Sequence, residues 1–363
     1  MTDETNDAST WPTLGTDAEF GFELRTCRWA ELNWEPVDDR AVVVARQLGT
    51  KHRLWDTIVL ECDREALRER ARFGPDRLDG DLLHVVRNAP ADWTYYRESL
   101  PEPDYPWRYV REAIHRGADR GILETRKRSG RIQIRRKWPY PDWLERVVAI
   151  ENKPDVDASA ARDLASQLEY DVAMGLADEV WVATRKTNEP VEPVLFEDLP
   201  VEAGILVFDP GTLAATVAWH PRTLPVEEPG TRILERPSGG DRDRSAARFE
   251  SVSPETKATT RLEIAERAYE RGWRSFVETM RPDCRYFELR ARDQLLPWCV
   301  SKGRCQTAGE CRGSCSEYEP EPPTWRTRGW PIEGGPGKRC RTLLETRRRR
   351  RRPGLSDSPD EAK

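Results

Sequence analysis

Apolar residues along this chain recur with a period of two in several short runs and every three to four positions in others, which sorts it into strands and helices. Residues 41–65, AVVVARQLGTKHRLWDTIVLECDRE, divide about a Gly-Thr turn into AVVVARQL and LWDTIVLEC, each with the pattern of a strand. Ahead of them, EFGFELRTCRWAELNW (19–34) has helical spacing, with Cys27 and Glu31 one turn apart. Further on, a strand at 146–151, a helix at 158–176 and a strand at 179–184 follow in succession, and GILVFDPGTLAATVAW (204–219) has the form of a hairpin turning at Asp209-Pro210-Gly211. Between the two groups, helical pieces at 64–73 and 79–87 precede a helix marked by Trp107, Val110, Ile114 and Ala118, which Gly121 can end. GILETRK and RIQIRRK then alternate around Ser129-Gly130 as a second hairpin.

These elements imply an α/β protein whose core, residues 19–63 and 141–221, is interrupted by an inserted domain at 64–140. Residues 1–18 are expected to be disordered. Residues 222–245, rich in Pro, Gly and charge, are expected to form a linker. A helical pattern resumes at 255–295 within a helical, Cys-rich region spanning 246–340, and 341–363, with its run Arg347–Arg352, is expected to be a disordered tail.

Charge changes the picture in one respect. The chain has 64 acidic and 59 basic residues and a net charge of −5, so it lacks a global polycationic signature and any nucleic-acid surface must be local. Arg outnumbers Lys fifty to nine, which singles out each Lys. An acidic chain with few lysines and only 37% hydrophobic residues fits a high-salt cytoplasm, although GC-rich coding also favours Arg. In molar salt the Debye length is ~3 Å, so binding there depends on close contacts. No stretch approaches the ~18 uninterrupted apolar residues of a spanning helix, and the start has no signal-peptide pattern; the expectation is a soluble, cytoplasmic protein without a membrane partner.

The candidate chemistry lies where the apolar strand RVVAIE runs into Asn152 and Lys153. Side chains two apart on a strand share a face, so Glu151 and Lys153 aim together while Asn152 turns away. If the strand of Asp56 lies alongside, Asp56 and Glu151 can share a Mg²⁺ (or Mn²⁺), with Lys153 beside a phosphate. With Asp56 in RLWDTIVLECD, Glu151-Asn152-Lys153 ending RVVAIENK, Gln167 and Tyr170 on the next helix and EVWVAT after it, the chain resembles the PD-(D/E)XK nuclease superfamily, the restriction-endonuclease-like fold that includes the RecB-like nucleases. The resemblance implies an αβββαβ core whose first helix is 19–34, and a metal-dependent DNA nuclease acting in repair, recombination or defence. It implies metal ligation by Asp56 and Glu151, with Glu31 as a further candidate, a catalytic Lys153, and support from Gln167 and Tyr170. Asp63 is a competing first acid at the end of the same strand. Arrangement and composition together are similar to proteins of halophilic archaea.

The insert resembles a winged helix-turn-helix over about seventy residues, and its basic residues Arg126, Lys127, Arg128, Arg131, Arg135, Arg136 and Lys137 are the candidate DNA contacts. The same cluster also reads as the solvated face of an ordinary hairpin. Five of the eight cysteines fall within 284–315, a density that points to metal ligation in a cytoplasmic protein. Zinc normally uses paired C-x₂₋₄-C knuckles, and of the spacings here Cys311–Cys315 alone fits. Some RecB-like nucleases hold a [4Fe–4S] cluster with one Cys before the nuclease motifs and three after. That layout corresponds here to Cys27 with three of Cys299, Cys305, Cys311 and Cys315, so cluster, zinc and no metal all stay open. Two other readings stand beside the nuclease: a catalytically inactive, nuclease-fold DNA-binding or regulatory protein, and a soluble protein whose Cys-rich segment makes protein contacts.

Overall fold

Each central strand buries both faces, and the alternation of its side chains feeds two cores. The computed structural model describes residues 18–36, 38, 40–155, 158–186, 197–209, 212–235, 248–273, 284, 286–291, 295–305 and 315–319. Helix α1 (Ala18–Asn33) is followed by β1 (Ala41–Gly49) and β2 (Leu54–Cys62). The insert contributes α2 (Arg64–Ala71), α3 (Gly80–Asn88), β3 (Thr94–Tyr95), α4 (Tyr96–Ser99), α5 (Trp107–Asp119), β4 (Leu123–Arg128) and β5 (Arg131–Arg136). Then come β6 (Leu144–Asn152), α6 (Ala158–Met174), β7 (Glu179–Arg185), β8 (Ala203–Asp209) and β9 (Ala214–Trp219). After these follow β10 (Gly230–Glu235), β11 (Arg248–Val252), α7 (Pro254–Arg271), β12 (Phe287–Ala291), β13 (Leu295–Cys299) and β14 (Arg304–Cys305).

The main sheet has six strands in the order β1-β2-β6-β7-β8-β9; β6, β7 and β8 run parallel to one another and the remaining pairings are antiparallel. Val147 and Ala149 of β6, Ile58 and Leu60 of β2 and Val180 and Val182 of β7 point to one face, where Leu164 and Leu168 of α6 and Ile264 and Ala268 of α7 cover them. Val148, Ile150, Val59, Trp181 and Ala183 point to the other, under Phe22, Leu24 and Cys27 of α1. A strand apolar on both faces is the expected sequence for such a covered sheet.

The chain leaves the sheet at Cys62 and re-enters at Leu144, its partner in register, and the Asp63 amide donates to the Trp143 carbonyl at 3.2 Å. Residues 64–140 therefore extend from the closed end of a hairpin, whose register shifts by one residue between Glu61 and Cys62 just before the insert begins. They enclose a core of their own, with Leu82, Val85, Val86, Val110, Ile114 and Ile134 inside. Its three strands are ordered β3-β5-β4, so the short strand ahead of α4 and α5 pairs with the last one.

Two expectations are corrected. The segment 222–245 is not wholly a linker: β10 lies within it and pairs with β11, a partner supplied from outside the segment. Local Pro and Gly content conceals a strand whose stability comes from a distant partner. The helical pattern at 255–295 holds to Arg271 alone. Ser253 caps the start of α7, and Gly272, with φ of 59°, ends it in a left-handed conformation that a residue with a Cβ adopts at a cost. Beyond it the described backbone forms the antiparallel pair β12–β13. Cys311 and the tail 341–363 lie outside the described residues, as do 1–17 of the N-terminal segment. Among the described residues no helix is long and apolar enough to cross a membrane.

Candidate active site

Thr57 pairs with Ile150 in the antiparallel ladder, which sets Asp56 opposite Glu151 one step further along. The Asn152 amide donates to Asp56 Oδ2 at 2.9 Å, tying the two strand ends together. The carboxylates at 56 and 151 are thus neighbours across adjacent strands. Lys153 follows just past β6, half-buried, its backbone amide bonded to the Ala183 carbonyl at 2.9 Å so that the strand edge continues. Asn152 turns to the α1 side as alternation requires, where its Nδ2 donates to Thr57 Oγ1 at 3.0 Å.

A third carboxylate comes from α1, and it is Glu23 rather than Glu31. Gln47 Nε2 donates both to Asp56 Oδ1 (2.9 Å) and to Glu23 Oε1 (3.3 Å), so one amide links the two acids. Gln47 holds φ of 51°, unusual for a residue with a side chain, between the paired positions Arg46↔Thr57 and Leu48↔Trp55. This kink carries Leu48 into the core that Ala45 already faces and leaves Gln47 pointing at the acids; such strain clusters at functional sites. Glu31 sits eight residues along the helix from Glu23, ~12 Å at the usual rise, and pairs with Arg28 at 2.9 Å. Glu23 shares the same helical face, and which of the two meets the strand ends depends on how far along the sheet α1 sits.

Two further residues escape the motif. Arg53 Nη2 donates to Glu151 Oε1 at 2.5 Å, while its Nε and Nη2 grip Asp171 of α6 at 2.9 and 2.6 Å. Trp55 Nε1 adds a bond to Asp171 Oδ1 at 2.8 Å. Arg53 is fixed by a turn in which Thr50 Oγ1 accepts from the His52 and Arg53 amides and the Thr50 amide donates to the Arg53 carbonyl. A Cβ on Gly49 would collide with that carbonyl, so this turn needs glycine. Gln167 lies one turn before Asp171 on the same face of α6, and its buried Oε1 has no hydrogen-bond partner among the described residues. Tyr170, one position round the helix from Asp171, instead packs against Phe249 of β11 with centroids 5.6 Å apart.

The electrostatics reflect burial first and the neighbouring acids second. Burial, then the charge of Asp56, raise the Glu151 carboxyl to about 8 despite Arg53. Burial also raises Glu23 to about 7 against the attraction of Arg46, and Asp56 contributes in the same direction. Between the ordinary 4.5 of Glu151 and about 8, the folded chain holds a proton that the unfolded chain has lost, so stability falls as pH rises through that window. Melting temperatures of metal-free protein measured from pH 5 to 8 are therefore expected to decline more steeply for wild type than for Glu151→Gln. Equal slopes would show that Glu151 is not held in this environment.

Among the described residues, no three His, Cys, Asp or Glu side chains are gathered closely enough to hold a metal ion as they stand. Gln47 spans Glu23 and Asp56, and Arg53 caps Glu151, so the acids come together on one ion only when these partners yield. The donors are nonetheless all carboxylate oxygens, the set that suits Mg²⁺ or Mn²⁺. The cysteines have a different setting. Cys27 is fully buried with Sγ 3.3 Å from Thr57 Oγ1, and burial followed by the nearby Glu23 pushes its thiol up. Cys299 is buried and Cys315 half-buried, while Cys305's side chain, like Cys311, is outside the described part.

The seven basic residues of the insert fall on two faces. Arg126, Arg128, Arg131 and Arg135 share the outer face of its sheet; Lys127 and Arg136 have the opposite parity, paired to Ile132 and Leu123, and Lys137 lies past the end of β5, its Nζ 5.7 Å from the centre of the Trp138 ring. A cavity of 620 Å³ opens elsewhere, at the far end of the main sheet, lined by Trp29, Trp34, Trp181, Glu61, Arg146 and Glu179 among others. It lies five residues back along β6 from Glu151, ~17 Å, and its carboxylates are bonded to Arg146 at the base of the sheet. The acids at 56 and 151 are thus a separate site.

Residues 43–320 match the model described as "Family of unknown function (DUF5787)". No curated protein and no solved structure matches the chain.

Proposed function

The chain belongs to the DUF5787 family, and from the meeting of Asp56 with Glu151 we propose that it is a divalent-metal-dependent DNA nuclease of the PD-(D/E)XK type. Supporting this reading is the order of its central elements: α1, the antiparallel β1, β2 and β6, the crossover α6 and the parallel β7. In this reading Asp56, Glu151 and Glu23 supply the oxygens that hold Mg²⁺. The chemistry such an ion supplies is polarisation of the scissile phosphate and acidification of a water. Lys153 places its ammonium beside that phosphate and offsets charge developing on it. Arg53 and Asp171 fix the Glu151 carboxylate from the α6 side, and Gln167 offers a carboxamide one turn away.

The insert supports DNA as the substrate. After α2, its order of α3, the short β3, α4, α5 and the β4–β5 hairpin, with β3 beside β5, is consistent with a winged helix-turn-helix, and Arg108, Arg111 and His115 on the exposed side of α5 face solvent. A second reading, a DNA-binding protein of nuclease fold without catalysis, draws on one observation: Arg53 already occupies a Glu151 oxygen. Purified chain incubated with plasmid or single-stranded DNA is expected to cut it with Mg²⁺ or Mn²⁺ and to stop on chelation. DNA binding with no cleavage under either ion decides for the second reading.

A further inference from the structure

The sheet of the insert has two unlike faces. One carries Leu123, Ile132 and Ile134 and packs into the insert's core. On the other, register sets Tyr95, Gln133 and Arg126 side by side across three strands, Arg135 opposite Glu124 and Arg131 opposite Arg128. Trp93, immediately before β3, joins this face: the Arg126 and Arg135 guanidinium groups lie over its ring at 4.5 and 4.8 Å. Arg131 lies over Tyr95 at 5.2 Å. Arg126 is further held by Gln133 Oε1 at 2.7 Å. Glu124 pairs with Arg135, and Glu98 meets Arg131 at 3.4 Å, so four arginines face one carboxylate on the sheet and one at its margin. Arg126, Arg128 and Arg131 are exposed, and Trp93 and Tyr95 are half-buried.

From this face we infer a platform for single-stranded DNA, an inference that rests on the DNA reading above and narrows its substrate. Bases stack on indole and phenol rings and on guanidinium planes, and arginines at the same spacing neutralise the phosphates between them. A duplex keeps its bases stacked on one another and offers this surface phosphates alone, leaving the aromatic rings unused. A single strand engages both. An acidic polypeptide engages the arginines but brings no flat rings to the aromatic pair.

The test is fluorescence anisotropy with the full chain in chelator, which blocks cleavage. Four probes are compared: a thymidine 20-mer, an abasic oligomer of equal length and charge, a 20-base-pair duplex and polyglutamate. The thymidine strand is expected to bind about tenfold or more tighter than the abasic one, the scale of stacking on aromatic side chains. Trp93→Ala with Tyr95→Ala is expected to erase that margin and leave abasic and duplex binding unchanged. Trp93→Leu, which keeps apolar bulk and guards against misfolding, is expected to lose part of the margin. Equal binding of thymidine and abasic strands, a margin that survives the double substitution, or polyglutamate binding as tight as thymidine each overturns the platform. If the duplex still binds in those cases, the DNA reading stands without it; if no polynucleotide binds, both fall.

Discussion

Lys153→Ala is expected to lower metal-dependent cleavage by about 10²–10³-fold while leaving DNA affinity within about twofold, the scale on which a single charge-stabilising group acts in a reaction. The contrast follows from its position. The Lys153 amide extends the pairing of β6 with β7 through the Ala183 carbonyl, a bond that alanine keeps, so the substitution removes the ammonium and leaves this strand pairing in place. Glu151→Gln provides the complementary case. It keeps an acceptor for Arg53 and removes a charge from the ion's ligand set, so its defect is expected to shrink as Mg²⁺ or Mn²⁺ is raised, whereas that of Lys153→Ala persists. Initial rates of plasmid nicking over a metal titration separate the two. Unchanged rates for Lys153→Ala would remove the site.

The second large effect concerns stability. Glu266 of α7 is fully buried and accepts from Arg70 Nε and Nη2, each at 2.5 Å, from the Leu78 amide at 2.8 Å and from the Tyr140 hydroxyl at 2.7 Å. Arg70, also fully buried, lies over the Tyr269 ring at 4.4 Å. Glu266→Ala leaves a buried guanidinium uncompensated and strands a backbone donor, and breaking a buried pair from one side costs about 3–5 kcal/mol. Urea denaturation is expected to show a loss of that order. Arg70→Met with Glu266→Leu is expected to recover most of it, because an apolar replacement of both partners leaves no charge to desolvate. A single-variant loss below about 1 kcal/mol would mean that the pair is solvated in solution, contrary to its burial here. These bonds join the insert and the chain entering β6 to α7, which packs against β1 and β6.

Much of this was legible in the sequence. The runs at 41–48, 54–62 and 146–151 declared themselves as strands because they are apolar on both faces, and a covered strand has no other pattern to show. The helix at 158–176 and the strand after it followed from a change of period, and the break between Cys62 and Leu144 from a change of composition. Alternation alone turned the Asn152 side chain away from the face of Glu151.

Other residues were not legible, for reasons of distance. Glu23 and Glu31 occupy the same stripe of α1, and nothing local says how far the helix slides along the sheet. Gln47 reaches the acids through a left-handed backbone that a Gln does not advertise. Arg53 and Asp171 meet across 118 positions, and β10 finds its partner outside its own segment.

The sequence by itself determined the strands and helices of the main sheet from α1 to β7, the hairpin that carries the insert, and the acidic and basic residue types, since each depends on neighbours within a few positions. Tertiary structure alone decided which carboxylate α1 contributes, which arginine holds Glu151, and which of seven basic residues share a surface with Trp93 and Tyr95. These outcomes depend on helix translation and strand register, quantities fixed by packing between segments far apart in the chain.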